Sequence, residues 1–101
     1  MKGIIHQGDI LKIEHLKKPV LVVSKDFFNQ TGEIIGCPVF EFSTLSPLHI
    51  QIQTHELSGE VQCEKLALLD LNTRGFIKIG SLPLADIMNI TDAIQSIFDY
   101  V

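Results

Sequence analysis

Tryptophan is absent from this chain, cysteine occurs only twice, and no apolar run approaches the length that crosses a membrane. Each scarcity removes a class of protein. A spanning helix needs about 20 consecutive apolar residues, so none is expected. The segment Met1-Lys2-Gly3-Ile4-Ile5-His6-Gln7-Gly8-Asp9 lacks the apolar stretch of a signal peptide, so a reducing cytoplasm is the expected compartment. Cys37 and Cys63 each sit inside an apolar stretch and form no C-x-x-C pair, which suggests neither a zinc site nor a disulfide framework. Both read as small buried hydrophobes. Positive charge is scarce too: 8 Lys and Arg stand against 12 Asp and Glu, for a net charge of −4. A chain of that sign repels phosphate backbones as a whole, so any nucleic-acid site has to be a local patch.

Apolar residues make up 46% of the composition and charged residues 20%, ample for a core and unlike a disordered chain. The 101 residues contain no repeat, low-complexity tract or linker, and a single domain spanning residues 1–101 is expected. Turn signals recur at short intervals through the first eighty residues, the rhythm of a small β-barrel or sandwich.

Gly8-Asp9 opens a first strand over Ile10 to Glu14, and Pro19 opens a second over Val20 to Ser24, whose unbroken β-branched content suits a central strand buried on both faces. Asp26 to Asn29 fits one helical turn, and Glu33 to Phe40 reads as a third strand that Gly36 and Pro38 bulge or bend. His49 to Thr54 alternates strictly, with Ile50 and Ile52 on one face and Gln51 and Gln53 on the other. After a turn at Ser58-Gly59, Val61 and Cys63 alternate with Gln62 and Glu64 and lead into the apolar run Leu66 to Leu69, giving one fifth strand. Phe76 to Ile79 gives a short sixth. The last segment changes period: Leu84, Ile87, Ile90, Ile94, Ile97, Phe98 and Val101 recur at spacings of three and four, the stripe of a helix lying on a core. Pro83 suits its first turn, with Ser81 an N-cap candidate. The aromatic residues Phe27, Phe28, Phe40 and Phe42 read as core.

Three segments, in order, carry a resemblance. They are Gly8-Asp9-Ile10, then Lys18-Pro19-Val20-Leu21-Val22-Val23-Ser24, then Cys63-Glu64-Lys65 followed by Asp70, Arg74-Gly75 and Gly80. With Pro38 they make the chain resemble the MazF/PemK family of type II toxins, whose strand Arg-Pro-aliphatic-aliphatic-Val-Ser and Cys-Asp-Gln, Asp, Arg-Gly and Gly pattern they match in spacing. The resemblance implies a mainly β fold with a C-terminal α-helix, a small SH3-like barrel of the CcdB/MazF type with about five to seven strands packed on one terminal helix. It also implies a homodimer, a cognate antitoxin with an acidic disordered tail, a single-stranded RNA substrate, cleavage as a metal-independent endoribonuclease, and no cofactor. The chain departs from the pattern at four places: Lys18 stands where the family has its catalytic Arg, Phe40 where it usually has Thr, the long Gly-containing loop between the first two strands is shortened to His15-Leu16-Lys17-Lys18, and Ala67 replaces a basic residue. With Phe at position 40 the groove is expected to be more apolar and better suited to a protein partner than to a phosphate.

Cleavage of RNA without a metal needs a base for the 2′-hydroxyl proton, positive charge on the phosphorane and an acid for the leaving 5′-oxygen. On the resemblance, Lys18, Asp70 and His15 are the catalytic candidates and Lys17, Lys25, Glu64, Lys65 and Arg74 the RNA-binding ones. Lys18 supplies a point charge, without the two-toothed phosphate contact of a guanidinium. Each has a bland rival: Lys17 and Lys18 as a solvated basic pair, Asp70 and Arg74 as partners in a turn, His15 as an ordinary loop histidine. His49, His55 and Glu56 match no standard metal-ligand spacing. The alternatives to a nuclease are a toxin-fold protein that acts only by protein–protein binding, to an antitoxin or another partner, and a CcdB-like gyrase poison. The last uses a C-terminal Trp-Gly-Ile, whereas this sequence ends Phe98-Asp99-Tyr100-Val101. The His49 to Thr54 strand and the helix end are the surfaces expected to dimerise.

Overall fold

A computed structural model describes residues 4–42 and 44–98. The elements are β1 (Asp9–Ile13), β2 (Val20–Val22), α1 (Asp26–Asn29), β3 (Glu33–Phe40), β4 (His49–Gln53), β5 (Ser58–Gln62), β6 (Ala67–Asp70), β7 (Phe76–Ser81) and α2 (Leu84–Phe98). The strands pair in the order β4-β5-β3-β2-β1-β7, with β6 also on β3, and curl into a half-barrel. No helix among the described residues is long and apolar enough to cross a membrane.

The central strand expected at Val20 is there: all three residues of β2 are buried, between β1 and β3. Alternation divides the core into two layers. Ile10 and Leu21 join Cys37, Val61 and Ile90 on the side covered by α2, while Leu11, Val20 and Val22 join Ile13, Ile34 and Leu71 on the other. Both cysteines are buried and free, and burial pushes the thiol of Cys37 up to about 12 and that of Cys63 up to about 11.

β3 holds the two parts of the sheet together. Its residues Glu33 to Gly36 pair with β6, Gly36 to Pro38 with β2, and Val39 and Phe40 with β5. The register against β2 is uninterrupted, so Gly36 and Pro38 mark a bend in the strand and not a bulge. Pro38, which has no N–H to donate, stands where β3 passes from one neighbour to the next. At the β5 crossing, a Cβ on Gly59 would meet the carbonyl oxygen of Phe40 at 2.6 Å, so only glycine permits this approach.

Several expectations are corrected. The fifth strand is two: β5 ends at Gln62, whose carbonyl accepts from the Lys65 N–H at 3.1 Å in a tight turn, and β6 begins at Ala67. That turn contains neither Gly nor Pro, so alternation ran through it unmarked. Ser58 and Gly59 lie inside β5, and the chain turns earlier, where the Thr54 N–H donates to the Leu57 carbonyl. Ser81 pairs with Asp9 in β7 and is no N-cap; the carbonyl of Pro83 accepts the first helical bonds, from Asp86 and Ile87. Helix α2 lies on the core through Ile90, Ile87 and Ile94, but Leu84, Ile97 and Phe98 from the expected stripe are 70%, 40% and 67% exposed. Val101 lies outside the described residues. Phe27 and Phe42 are likewise exposed and not core.

Candidate functional site

The loop between β1 and β2 turns on His15, whose φ of 68° is in the left-handed region that histidine tolerates better than most residues. Leu16 then donates its N–H to the Ile13 carbonyl at 3.2 Å and packs on the core, leaving Lys17 and Lys18 to follow at the surface. The Pro19 carbonyl accepts from the Val39 N–H at 2.9 Å, which seats this segment against the end of β3. A groove of 280 Å³ results. Its floor is Gly36, Cys37 and Pro38 of β3, and its walls include Leu16, Lys17 and Lys18 on one side and Lys65, Ala67 and Leu69 on the other.

Lys17, Lys18 and Lys65 are three of the chain's eight Lys and Arg residues, gathered on one groove of a protein with net charge −4. Lys18 Nζ lies 5.4 Å and Lys65 Nζ 4.9 Å from the centre of the Phe40 ring. Phe42 meets that ring edge-on, with centroids 5.6 Å apart and 64° between planes, and is 57% exposed.

The same face of the sheet continues into a polar cluster that sequence reasoning missed. Phe40 pairs with Glu60, and Glu60 with Gln51, across β3, β5 and β4. One step along, His49 stands opposite Gln62. The buried carboxylate of Glu60 accepts from the Thr44 N–H at 2.8 Å, the Thr44 hydroxyl at 3.0 Å and the Gln62 amide at 3.1 Å. His49 Nδ1 lies 3.2 Å from Glu60, and Nε2 lies 2.8 Å from Glu64. Burial pushes the Glu60 carboxyl up, but the Thr44 and Gln62 donors and His49 outweigh it and hold the group below its ordinary value. The hydrogen bond that His49 Nε2 donates to Glu64 raises the imidazole, and the same bond lowers Glu64. The two carboxylates meet opposite edges of the ring, so they do not converge on a point, and among the described residues no cluster suited to a metal ion is found. The only sequence signal was the strict alternation that puts His49 on the polar face of β4.

The other candidates lie elsewhere. Asp70 closes β6 opposite Glu33, and its carboxylate accepts from the Asn72 N–H at 2.9 Å, a turn-capping role. Arg74 follows in the turn before β7. His15 lines a shallow depression with Lys12 and Phe76. Lys25, just ahead of α1, lines a 560 Å³ apolar groove beneath α2. The structure therefore brings together Lys17, Lys18 and Lys65, with Glu64 adjoining, and leaves His15, Asp70, Arg74 and Lys25 outside the groove.

The sequence profile of the PemK-like, MazF-like toxins of type II toxin–antitoxin systems matches residues 7–98. No curated protein sequence matches the chain. The fold is similar to MazF in a MazE–MazF crystal structure from Deinococcus radiodurans, with TM-score 0.88 and 21% identity over 96% of this chain and 98% of that one. It is also similar to MazF alone from Deinococcus radiodurans, with TM-score 0.84, 19% identity and coverage of 96% and 98%. An endoribonuclease in complex with its cognate antitoxin, from a mycobacterial species, superimposes with TM-score 0.81 and 18% identity over 93% and 94%.

Proposed function

Because this chain belongs to the PemK-like, MazF-like toxins of type II toxin–antitoxin systems, we propose that it is an endoribonuclease that cleaves single-stranded RNA without a metal and is silenced by an antitoxin laid over the same groove. The observation that carries the reading is the convergence of Lys17, Lys18 and Lys65 on one groove of an otherwise acidic protein. A local cluster of cations is what a phosphate backbone requires there.

In the reaction, a base removes the 2′-hydroxyl proton, the 2′-oxygen bonds to phosphorus, the bond from phosphorus to the 5′-oxygen breaks, and an acid returns a proton to that oxygen. Lys18 and Lys65 stabilise the charge that develops on the phosphorane oxygens. Proton transfer falls to His15, three residues before Lys18, and to Asp70, three residues beyond Ala67 on β6, about 10 Å along the strand. Lys17, Glu64 and Arg74 extend the track for RNA, and Lys25 lies on a more distant part of it. The protein acts in the cytoplasm as a homodimer.

A second reading, a toxin-fold protein that acts by binding an antitoxin or another protein without cleaving RNA, is favoured by one observation: neither His15 nor Asp70 lines the groove that holds the lysines. Both are tested by incubating the purified chain with a long single-stranded RNA, with and without EDTA, beside the Lys18→Ala variant. Cleavage that survives EDTA and disappears in the variant supports the nuclease. RNA left intact by the wild type, with and without EDTA, supports the protein-binding reading instead.

A further inference from the structure

We propose that Phe40, with Phe42 set edge-on against it, is a nucleobase-stacking platform, and that Lys18 and Lys65 leave its ring for the flanking phosphates when a base arrives. The inference rests on the RNA reading above and adds a subsite to it.

Phe40 is the last residue of β3 and shares its face of the strand with Pro38, which lines the groove two residues earlier. The two ammonium groups reach it from separate elements, Lys18 from the loop after β1 and Lys65 from the turn after β5. Phe40 is half-buried and Lys65 is exposed; an ammonium beside a ring at the surface keeps much of its hydration, so it yields to a better partner. A phosphate is a better partner for the ammonium, and a base is a better partner for the ring. One ligand therefore satisfies both components at once: a flat π-system carrying anions on its flanks, which is a nucleotide within a single strand.

The neighbouring groups fit this occupant. Glu64, beside Lys65, already has one carboxylate oxygen engaged by His49 at 2.8 Å. Glu60, across the strand from Phe40, is buried and hydrogen-bonded, so it presents no free carboxylate to the ring. An acidic peptide would satisfy the lysines, but its carboxylates leave the face of Phe40 and the exposed Phe42 uncovered.

The test uses the full chain and short 2′-O-methyl oligoribonucleotides, which lack the attacking hydroxyl and so report binding whether or not cleavage occurs. 2-Aminopurine is placed at each position in turn, and in a parallel set each base is replaced by an abasic unit. Fluorescence quenching at one position is expected, together with roughly tenfold weaker binding when that position is abasic. Phe40→Leu should lose the quenching and show no further penalty for the abasic unit, with an unchanged salt slope, whereas Phe40→Tyr should retain both effects. Equal affinity for intact and abasic strands at every position overturns the platform, and so does quenching that survives in Phe40→Leu. In those cases steep salt dependence of binding still leaves the RNA reading standing. An absence of binding to any oligonucleotide, with tight binding of an acidic peptide, overturns both. The abasic series needs only the wild-type protein, so misfolding of a variant does not obscure the result.

Discussion

His49 Nε2 stands 2.8 Å from a carboxylate oxygen of Glu64, and this contact ties strand β4 to the turn that carries Lys65. On the other edge of the ring, Nδ1 faces Glu60 and Thr44. The hydrogen bond donated to Glu64 leads in raising the imidazole above its ordinary value of 6.5, with further contributions from Thr44 and the charges of Glu64 and Glu60. A raised folded-state value means that the stabilisation is fully present below about 6.5 and is lost as pH rises through the folded value. Glu60 and Glu64 are lowered from 4.5, so their stabilisation is present above 4.5 and is lost as pH falls through their folded values. Melting temperature should therefore be highest between about 4.5 and 6.5 and decline on the alkaline side. His49→Gln should flatten that alkaline decline; a variant whose profile still follows the wild type above neutrality would remove His49 as its cause.

Lys18 is the cation proposed to take the place of the family's catalytic arginine. Lys18→Ala should slow metal-independent RNA cleavage by about a hundredfold, the usual cost of removing one stabiliser of transition-state charge. Lys18→Arg should keep or increase the rate, since a guanidinium grips phosphate through two parallel bonds. Rates measured on one fluorescent oligonucleotide decide this, and equal rates for the alanine variant and the wild type would deny Lys18 a part in the chemistry.

Gly59 is predicted to resist substitution. A methyl group there would press on the carbonyl of Phe40 at 2.6 Å, which is backbone and cannot swing away. Gly59→Ala should cost about 1–3 kcal/mol as β5 is pushed off β3. Denaturant unfolding would show this as a lower midpoint, and an unchanged midpoint would mean that the crossing is looser than described.

Helix α2 has one fully buried residue, Ile90, while Leu84, Met88 and Phe98 are exposed. Ile90→Ala should cost about 2–5 kcal/mol through lost contacts and the cavity left behind. Phe98→Ala in the monomer should change stability by less than about 0.5 kcal/mol. A loss from Phe98→Ala that grows with protein concentration would place Phe98 in a contact that the isolated chain does not contain.

Much of the fold was legible because local signals agreed with the global arrangement. The bounds of α1 and β3 were read to the residue, since Thr31-Gly32 punctuates the chain between them, and the β-branched run of β2 marked it as central. The division between β5 and β6 was not legible, because Cys63-Glu64-Lys65 turns without glycine or proline and continues the apolar alternation around it. The site was legible only in part. Lys17 and Lys18 are neighbours in the chain, but Lys65 joins them through the pairing of β6 with β3, a register that no local pattern encodes. Glu64 was chosen for its likeness to a family motif, whereas its bond to His49 depends on how β4 folds back on β5, fifteen residues away in sequence. Phe40 and Phe42 read as core because aromatic residues usually are. The distinction between a buried ring and one flanked by two ammonium groups belongs to three-dimensional arrangement.

The threefold pairing of β3 sets the mechanical character of the groove. Its floor, Gly36 to Pro38, is braced by β2 and lies between the segments held by β6 and β5, whereas its walls are loop and turn residues carrying long side chains. A ligand therefore meets a rigid bed and adjustable arms. The entropic loss on capture is confined to a few lysine rotamers, and a substitution in the walls can retune selectivity while the bed keeps its shape.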